Sequence, residues 1–162
     1  MSQTIARFGS RTVATGVFIA AILLFGPREV RAQGLQFSGG LGYAAPIGSI
    51  SDFQSQGYTL RGQAGLNLLL ASVHAQAGWT HLAGRDGQEA VHIQHLVAGG
   101  RFGLGLVWTG LNAGWFRDPD NKGNGFGYLP EIGAGLGPLE VVFDFRPSGP
   151  NKWWSLRGGL RF

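Results

Sequence analysis

WWSLRGGLRF, residues 153–162, sorts its side chains by parity. Trp154, Leu156, Gly158, Leu160 and Phe162 fall on one side, and Trp153, Ser155, Arg157, Gly159 and Arg161 on the other. A period of two is the signature of a β-strand, whose successive side chains point to opposite faces. One face of this strand is apolar throughout and the other carries the charge.

Working back from this segment, the same alternation recurs. LEVVFDFR sets Leu139, Val141, Phe143 and Phe145 against Glu140, Val142, Asp144 and Arg146. LQFSGGLGY sets Leu35, Phe37, Leu41 and Tyr43 against Gln36 and Ser38. YTLRGQAGLNL opposes Tyr58, Leu60, Ala64 and Leu66 to Thr59, Arg61, Gln63 and Asn67. SVHAQAGWT and FGYLPEIGAGL follow suit, with His74 on the polar face of the first and Glu131 on that of the second. In AVHIQHLVAGGRF the alternation is good from Val91 to Gln94 and uncertain at His95-Leu96, while in LVWTGLNAGWF either face could be the apolar one. The pattern predicts eight strands, two of them with an open facing.

The connections alternate in length. Polar segments at Ala45 to Gly57, Ala83 to Ala90, Arg117 to Gly125 and Pro147 to Lys152 are long, whereas the joins near Leu68 to Ala71, Gly103 to Gly105 and Gly137-Pro138 are tight. All long loops therefore belong at one end of the strands and all tight turns at the other.

At the other end of the chain, Arg7 and Arg11 precede the apolar run VATGVFIAAILLFG, and Val30-Arg31-Ala32 follows with small residues at the positions a signal peptidase reads. Residues 1–32 are expected to be a cleaved signal peptide. The run is shorter than the roughly 20 residues a spanning helix needs, and Pro27 with Arg28, Glu29 and Arg31 closes it. The remaining 33–162 is expected to form one domain. Without residues 1–32 the chain keeps nine basic and eight acidic side chains, a net charge of +1, so the high pI belongs mostly to the leader. A nucleic-acid partner is not expected from so balanced a surface. The sequence has no cysteine, which excludes a lipidated cysteine anchor and a disulfide framework.

Alternation alone fits a soluble barrel, which hides its large apolar side chains and shows its polar ones to water. Here the polar face carries Arg61, Glu131, Glu140, Asp144, Arg157 and Arg161, few enough and balanced enough in sign to pair. The opposite face is nearly free of charge, a poor surface for water but a suitable one for lipid. Within a bilayer only helices and closed barrels satisfy the backbone. A spanning strand takes roughly 9–11 residues, so eight use about 72–88 and leave about 42–58 of the domain for connections. Aromatics near the strand ends, among them Phe37, Tyr43, Tyr58, Trp79, Trp115, Tyr128, Phe145, Trp154 and Phe162, suit the girdles of such barrels.

With its leader, its eight alternating segments and its terminal Trp154-x-Leu156-x-Gly158-x-Leu160-x-Phe162, the chain resembles the small outer-membrane β-barrels of Gram-negative bacteria, of the OmpA-transmembrane-domain and OmpX type. The resemblance implies an all-β, eight-stranded, antiparallel up-and-down transmembrane barrel in the outer membrane. It also implies that Trp154, Leu156, Gly158, Leu160 and Phe162 form the signal read by the barrel assembly machinery. Partners are then outer-membrane lipid and that machinery, the barrel is expected to be a monomer, and the four loops carry any external interaction.

A barrel of eight strands is filled by its own side chains. The polar residues named above are expected to form an interior network of ion pairs rather than an ion path, because buried charges need partners whatever the function. His92 and His95 are three apart, which on a strand puts them on opposite sides, so no metal site is expected. The lipid A deacylases resemble this chain in size, but their His-x-Ser pair is absent, and Ser72-x-His74 has the reverse order. No catalytic residue and no cofactor is expected. A lipid-modifying barrel enzyme with His74 or a neighbour as base, and a soluble periplasmic ligand carrier, are the two alternatives. DPDNKGNG places Asp118, Asp120 and Gly123 as in a calcium loop, but Lys122 and Leu129 occupy ligand positions, which makes it an ordinary surface turn.

Overall fold

The computed structural model describes residues 34–119 and 123–162. The expected signal peptide lies outside the described residues. Eight strands follow in order: β1 (Gly34–Pro46), β2 (Gln54–Leu68), β3 (Ala71–Gly84), β4 (Val91–Leu104), β5 (Val107–Asp118), β6 (Gly123–Leu136), β7 (Leu139–Arg146) and β8 (Trp153–Arg161). Each pairs antiparallel with its sequence neighbours, and β1 pairs with β8 to close the barrel. This is the eight-stranded up-and-down architecture expected from the alternation, and closure leaves no sheet edge exposed.

At one end, tight turns join β2 to β3, β4 to β5 and β6 to β7. Each begins with a residue in the left-handed region, Leu69 (φ 59°), Gly105 (φ 68°) and Gly137 (φ 57°). Glycine adopts that backbone without strain, whereas Leu69 bears a side-chain penalty there. At the other end, the connection from β1 to β2 folds into a short 3-10 helix, Gly48–Asp52. The strands run further into this end than the sequence suggests. Gln54 to Gly57 and Gly123 to Gly125 belong to β2 and β6, so the long connections are shorter than the polar segments that announced them. β2 and β3 reach 15 and 14 residues, more than the roughly 9–11 needed to cross a bilayer.

The open facings resolve. On β4, His95, Val97 and Arg101 point inward and Leu96, Ala98 and Phe102 outward. On β5, Trp108, Asn112 and Phe116 point inward and Leu111, Trp115 and Arg117 outward. Period-two reasoning failed here because Val91, Ile93, Val97 and Phe116 are apolar yet face the interior. With Ala44, Ile50, Leu82, Leu129 and Trp153 they form a buried apolar cluster. The register places it at the loop end, since Leu82 opposes Val91 and Trp153 opposes Arg146 and Pro46. The interior is thus polar in its middle and holds an apolar cluster beneath the loops, beside the buried Gln54, Asp118, Arg146 and Asn151, in place of the polar and charged filling expected throughout.

Candidate functional site

The interior of the barrel and its outer wall are the two surfaces on which function can rest. In the interior, charge is gathered at mid-height. Asp144 of β7, fully buried, accepts hydrogen bonds from Arg61 Nη2 at 2.8 Å, Arg157 Nε at 3.0 Å and Ser155 Oγ at 2.8 Å. The next carboxylate, Glu131 of β6, accepts from Arg101 Nε at 2.7 Å and lies 3.7 Å from Arg157 Nη2. Arg101 Nη1 in turn stands 3.8 Å from Glu140 Oε2. The result is an alternating chain, Arg61, Asp144, Arg157, Glu131, Arg101 and Glu140, with three charges of each sign. Alternation satisfies each buried charge with one or two opposite ones, without which burial costs several kcal/mol per ion.

Inward glycines make room for these long side chains. A Cβ at Gly78 would stand 2.4 Å from the His95 ring and 2.9 Å from Arg61 Cγ, and one at Gly110 would stand 3.0 Å from both Arg101 Cγ and Glu131 Oε1. Part of the high glycine content therefore serves the lumen as well as the turns.

Arg61, Glu131, Glu140, Asp144 and Arg157 are brought together in this way, and Arg161 is not. It lies at the turn end, where its Nη2 donates to the Gly137 carbonyl at 3.3 Å. Arg101 occupies the place the sequence reading assigned to Arg161. Its facing was hidden among Ala98, Gly99 and Gly100, but one signal could have found it: where the outward positions of the clearly alternating strands are free of charge, an arginine within a strand belongs to the interior. Its guanidinium also lies over the Trp108 ring, 3.8 Å from the centroid.

His74 is buried in the interior wall. Its Nε2 is 2.6 Å from Asn112 Oδ1 and 3.7 Å from Glu131 Oε1, and Asn112 Nδ2 donates to the Leu129 carbonyl at 3.3 Å. Ser72 shares this inward face. His95, also buried, has its Nε2 3.5 Å from Gln76 Nε2 and its ring beside Phe116. His92 points outward, away from His95, as the strand geometry requires. Asp118 of the DPDNKGNG segment is buried and accepts a hydrogen bond from Asn151 Nδ2, which ties the β5 end to the loop before β8. Among the described residues, no group of three His, Cys, Asp or Glu side chains is placed to hold a metal.

The outer wall has the opposite character. Among the described strand positions that face outward, Arg117 is the single charged side chain, and it lies at the loop end of β5. Large apolar side chains stand exposed around the whole circumference, from Leu35 and Phe37 of β1 through Leu96, Leu111 and Ile132 to Leu156 and Leu160 of β8. A row of Ala64, Ala75, Ala98 and Ala113 crosses four strands at mid-height. Near the loop end runs an aromatic band, with Tyr43 against Trp154 (5.4 Å between centroids) and Trp115 edge-on to Phe126 (5.9 Å). Trp154, Leu156, Gly158 and Leu160 lie on this outer face, and Phe162 follows at 77 % exposure.

No family model and no curated protein matches this chain. Among solved structures it is similar to Neisserial surface protein A (NspA), with a TM-score of 0.52 and 12 % identity over 81 % of this chain and 98 % of that one. At that identity the likeness concerns the fold, a small closed barrel.

Proposed function

We propose that this protein is an integral outer-membrane β-barrel without enzymatic activity, which adds to the integrity of the envelope and offers its four external loops for any surface interaction. The observation that carries this reading is the inversion of polarity across the wall. Six charged side chains are paired within the barrel, while the outward strand positions form an apolar belt with Arg117 alone at its margin. Such a belt in water would be an aggregation surface far larger than soluble monomers carry. In lipid it is the stable surface, and the fold's likeness to NspA agrees with that setting.

The alternatives fit less well. A soluble carrier needs the reverse arrangement, an apolar lined cavity under a polar outer wall. For a lipid-acting enzyme, His74 faces the side of the wall away from lipid, where Asn112 and Glu131 engage its Nε2. Export by the signal peptide, insertion by the assembly machinery through Trp154, Leu156, Gly158, Leu160 and Phe162, and a monomeric state complete the proposal. Its test is electrophoresis of isolated outer membranes with and without boiling. A band that shifts on boiling is the expected result; recovery in the soluble periplasmic fraction with no shift would contradict it.

A further inference from the structure

His81 and His92 stand directly opposite each other on β3 and β4. Both belong to the outward-facing parity of their strands, and their ring centroids are 4.9 Å apart with planes inclined by 37°. Opposed residues of an antiparallel pair hold their Cβ atoms about 4.5–5.5 Å apart, so the sheet brings these two imidazoles within reach of one another. Two imidazoles bound to one ion through metal–nitrogen bonds of about 2.0–2.1 Å have centroids roughly 4.5–5.2 Å apart, as the angle at the metal opens from square-planar to tetrahedral. The observed separation falls inside that interval.

The rings are also held in place. Trp79 stacks on His92 at 5.5 Å with an interplanar angle of 8°, and Tyr58 lies against His81 at 5.0 Å. Restriction by aromatic neighbours reduces the rotamer freedom that chelation would otherwise have to remove. The pair lies close to the loop end, His92 two residues and His81 four from the exposed segment 85–90, which carries Arg85, Asp86 and Glu89.

We propose that His81 and His92 form a two-ligand site for a late first-row divalent metal ion, Cu2+, Ni2+ or Zn2+, on the outer rim of the barrel. Imidazole suits these ions, and Cu2+ heads the affinity order. Two protein nitrogens leave the other coordination positions to water. Spacing along one strand conceals the site, because the histidines three apart, His92 and His95, face opposite sides. The ligands meet across two strands instead.

The test uses the untagged protein in an uncharged maltoside detergent, titrated with Cu2+ by calorimetry and followed by electron paramagnetic resonance. The expected result is one Cu2+ per chain with hyperfine structure from two imidazole nitrogens, and binding at least tenfold weaker in both His81→Gln and His92→Gln. Because a glutamine could disturb the aromatic stack, His81→Phe is compared as well, since it keeps a ring against Tyr58 and Trp79 but offers no nitrogen. Folding of each variant is checked by the shift of its band on boiling. Copper binding within twofold of the parent in the folded His81→Phe or His92→Gln variant, or an unchanged nitrogen count, would overturn the proposal.

Discussion

Phe37 and Phe162 exchange both backbone hydrogen bonds, Phe37 N to Phe162 O at 3.0 Å and Phe162 N to Phe37 O at 2.8 Å. Phe162 therefore extends by one rung, at the turn end, the seam that closes the barrel between β1 and β8. Within a bilayer an unmade rung leaves backbone groups with no water to take its place.

Loss of Phe162 is expected to lower the fraction of protein that shows the heat-dependent band in outer membranes. Phe162→Ala separates two causes, because it keeps the backbone rung and removes only the ring. If the ring is what the assembly machinery reads, Phe162→Ala accumulates unfolded almost as the deletion does. If the rung is what counts, Phe162→Ala assembles and only the deletion fails.

Asp144 is the hub of the interior, taking Arg61, Arg157 and Ser155 on its two oxygens. Asp144→Asn strands the buried Arg61 and leaves Arg157 with Glu131 as its remaining counter-charge, and the expected cost is about 3–5 kcal/mol. Urea unfolding of the refolded barrel in lipid vesicles, followed by tryptophan fluorescence, measures it. Replacing Arg61 by Met together with Asp144→Asn removes the stranded cation, and is expected to recover part of the loss.

Gly78 lies between two long side chains of the lumen, with room for no Cβ. Gly78→Ala should cost about 1–3 kcal/mol through overpacking against His95 and Arg61. The same unfolding assay applies, and a neutral result would mean that the His95 ring moves aside freely.

Ala98 sits in the mid-height alanine row of the outer wall. Ala98→Arg is expected to destabilise the barrel in vesicles by about 2–4 kcal/mol, as a charge at the midplane of a bilayer does, while Asn124→Arg at the loop end of β6 should cost about 0–1 kcal/mol. A wall facing water would register neither substitution strongly.

Much of this architecture can be read in the residues themselves. The strand count, the antiparallel order and the polarity of β1, β2, β3, β7 and β8 follow from alternation, because one face of each strand meets a polar interior. Legibility fails where the interior itself turns apolar, with His92 and Gln94 on the outer face of β4. Val91, Ile93 and Val97 of β4 and Phe116 of β5 enter the buried cluster beneath the loops, so parity no longer distinguishes inside from outside. The interior charge network was legible in its residue types but not in its membership. Arg161 is diverted by a turn carbonyl at the strand end, and Arg101 is added by a strand whose facing was open. Contacts between strands, such as His81 with His92, depend on register, which local pattern does not specify.

If the apolar face of every strand meets lipid, site-directed labels will report it, and the absence of cysteine from the sequence leaves every position open to a single label. Single cysteines placed at consecutive positions of β8, from Trp154 to Leu160, carry a nitroxide label in the barrel refolded into lipid vesicles. The account predicts that labels at positions 156, 158 and 160 relax with lipid-soluble oxygen and are shielded from a water-soluble nickel chelate, while those at 155, 157 and 159 are shielded from oxygen. Greater access of the nickel chelate at 156, 158 and 160 would contradict it.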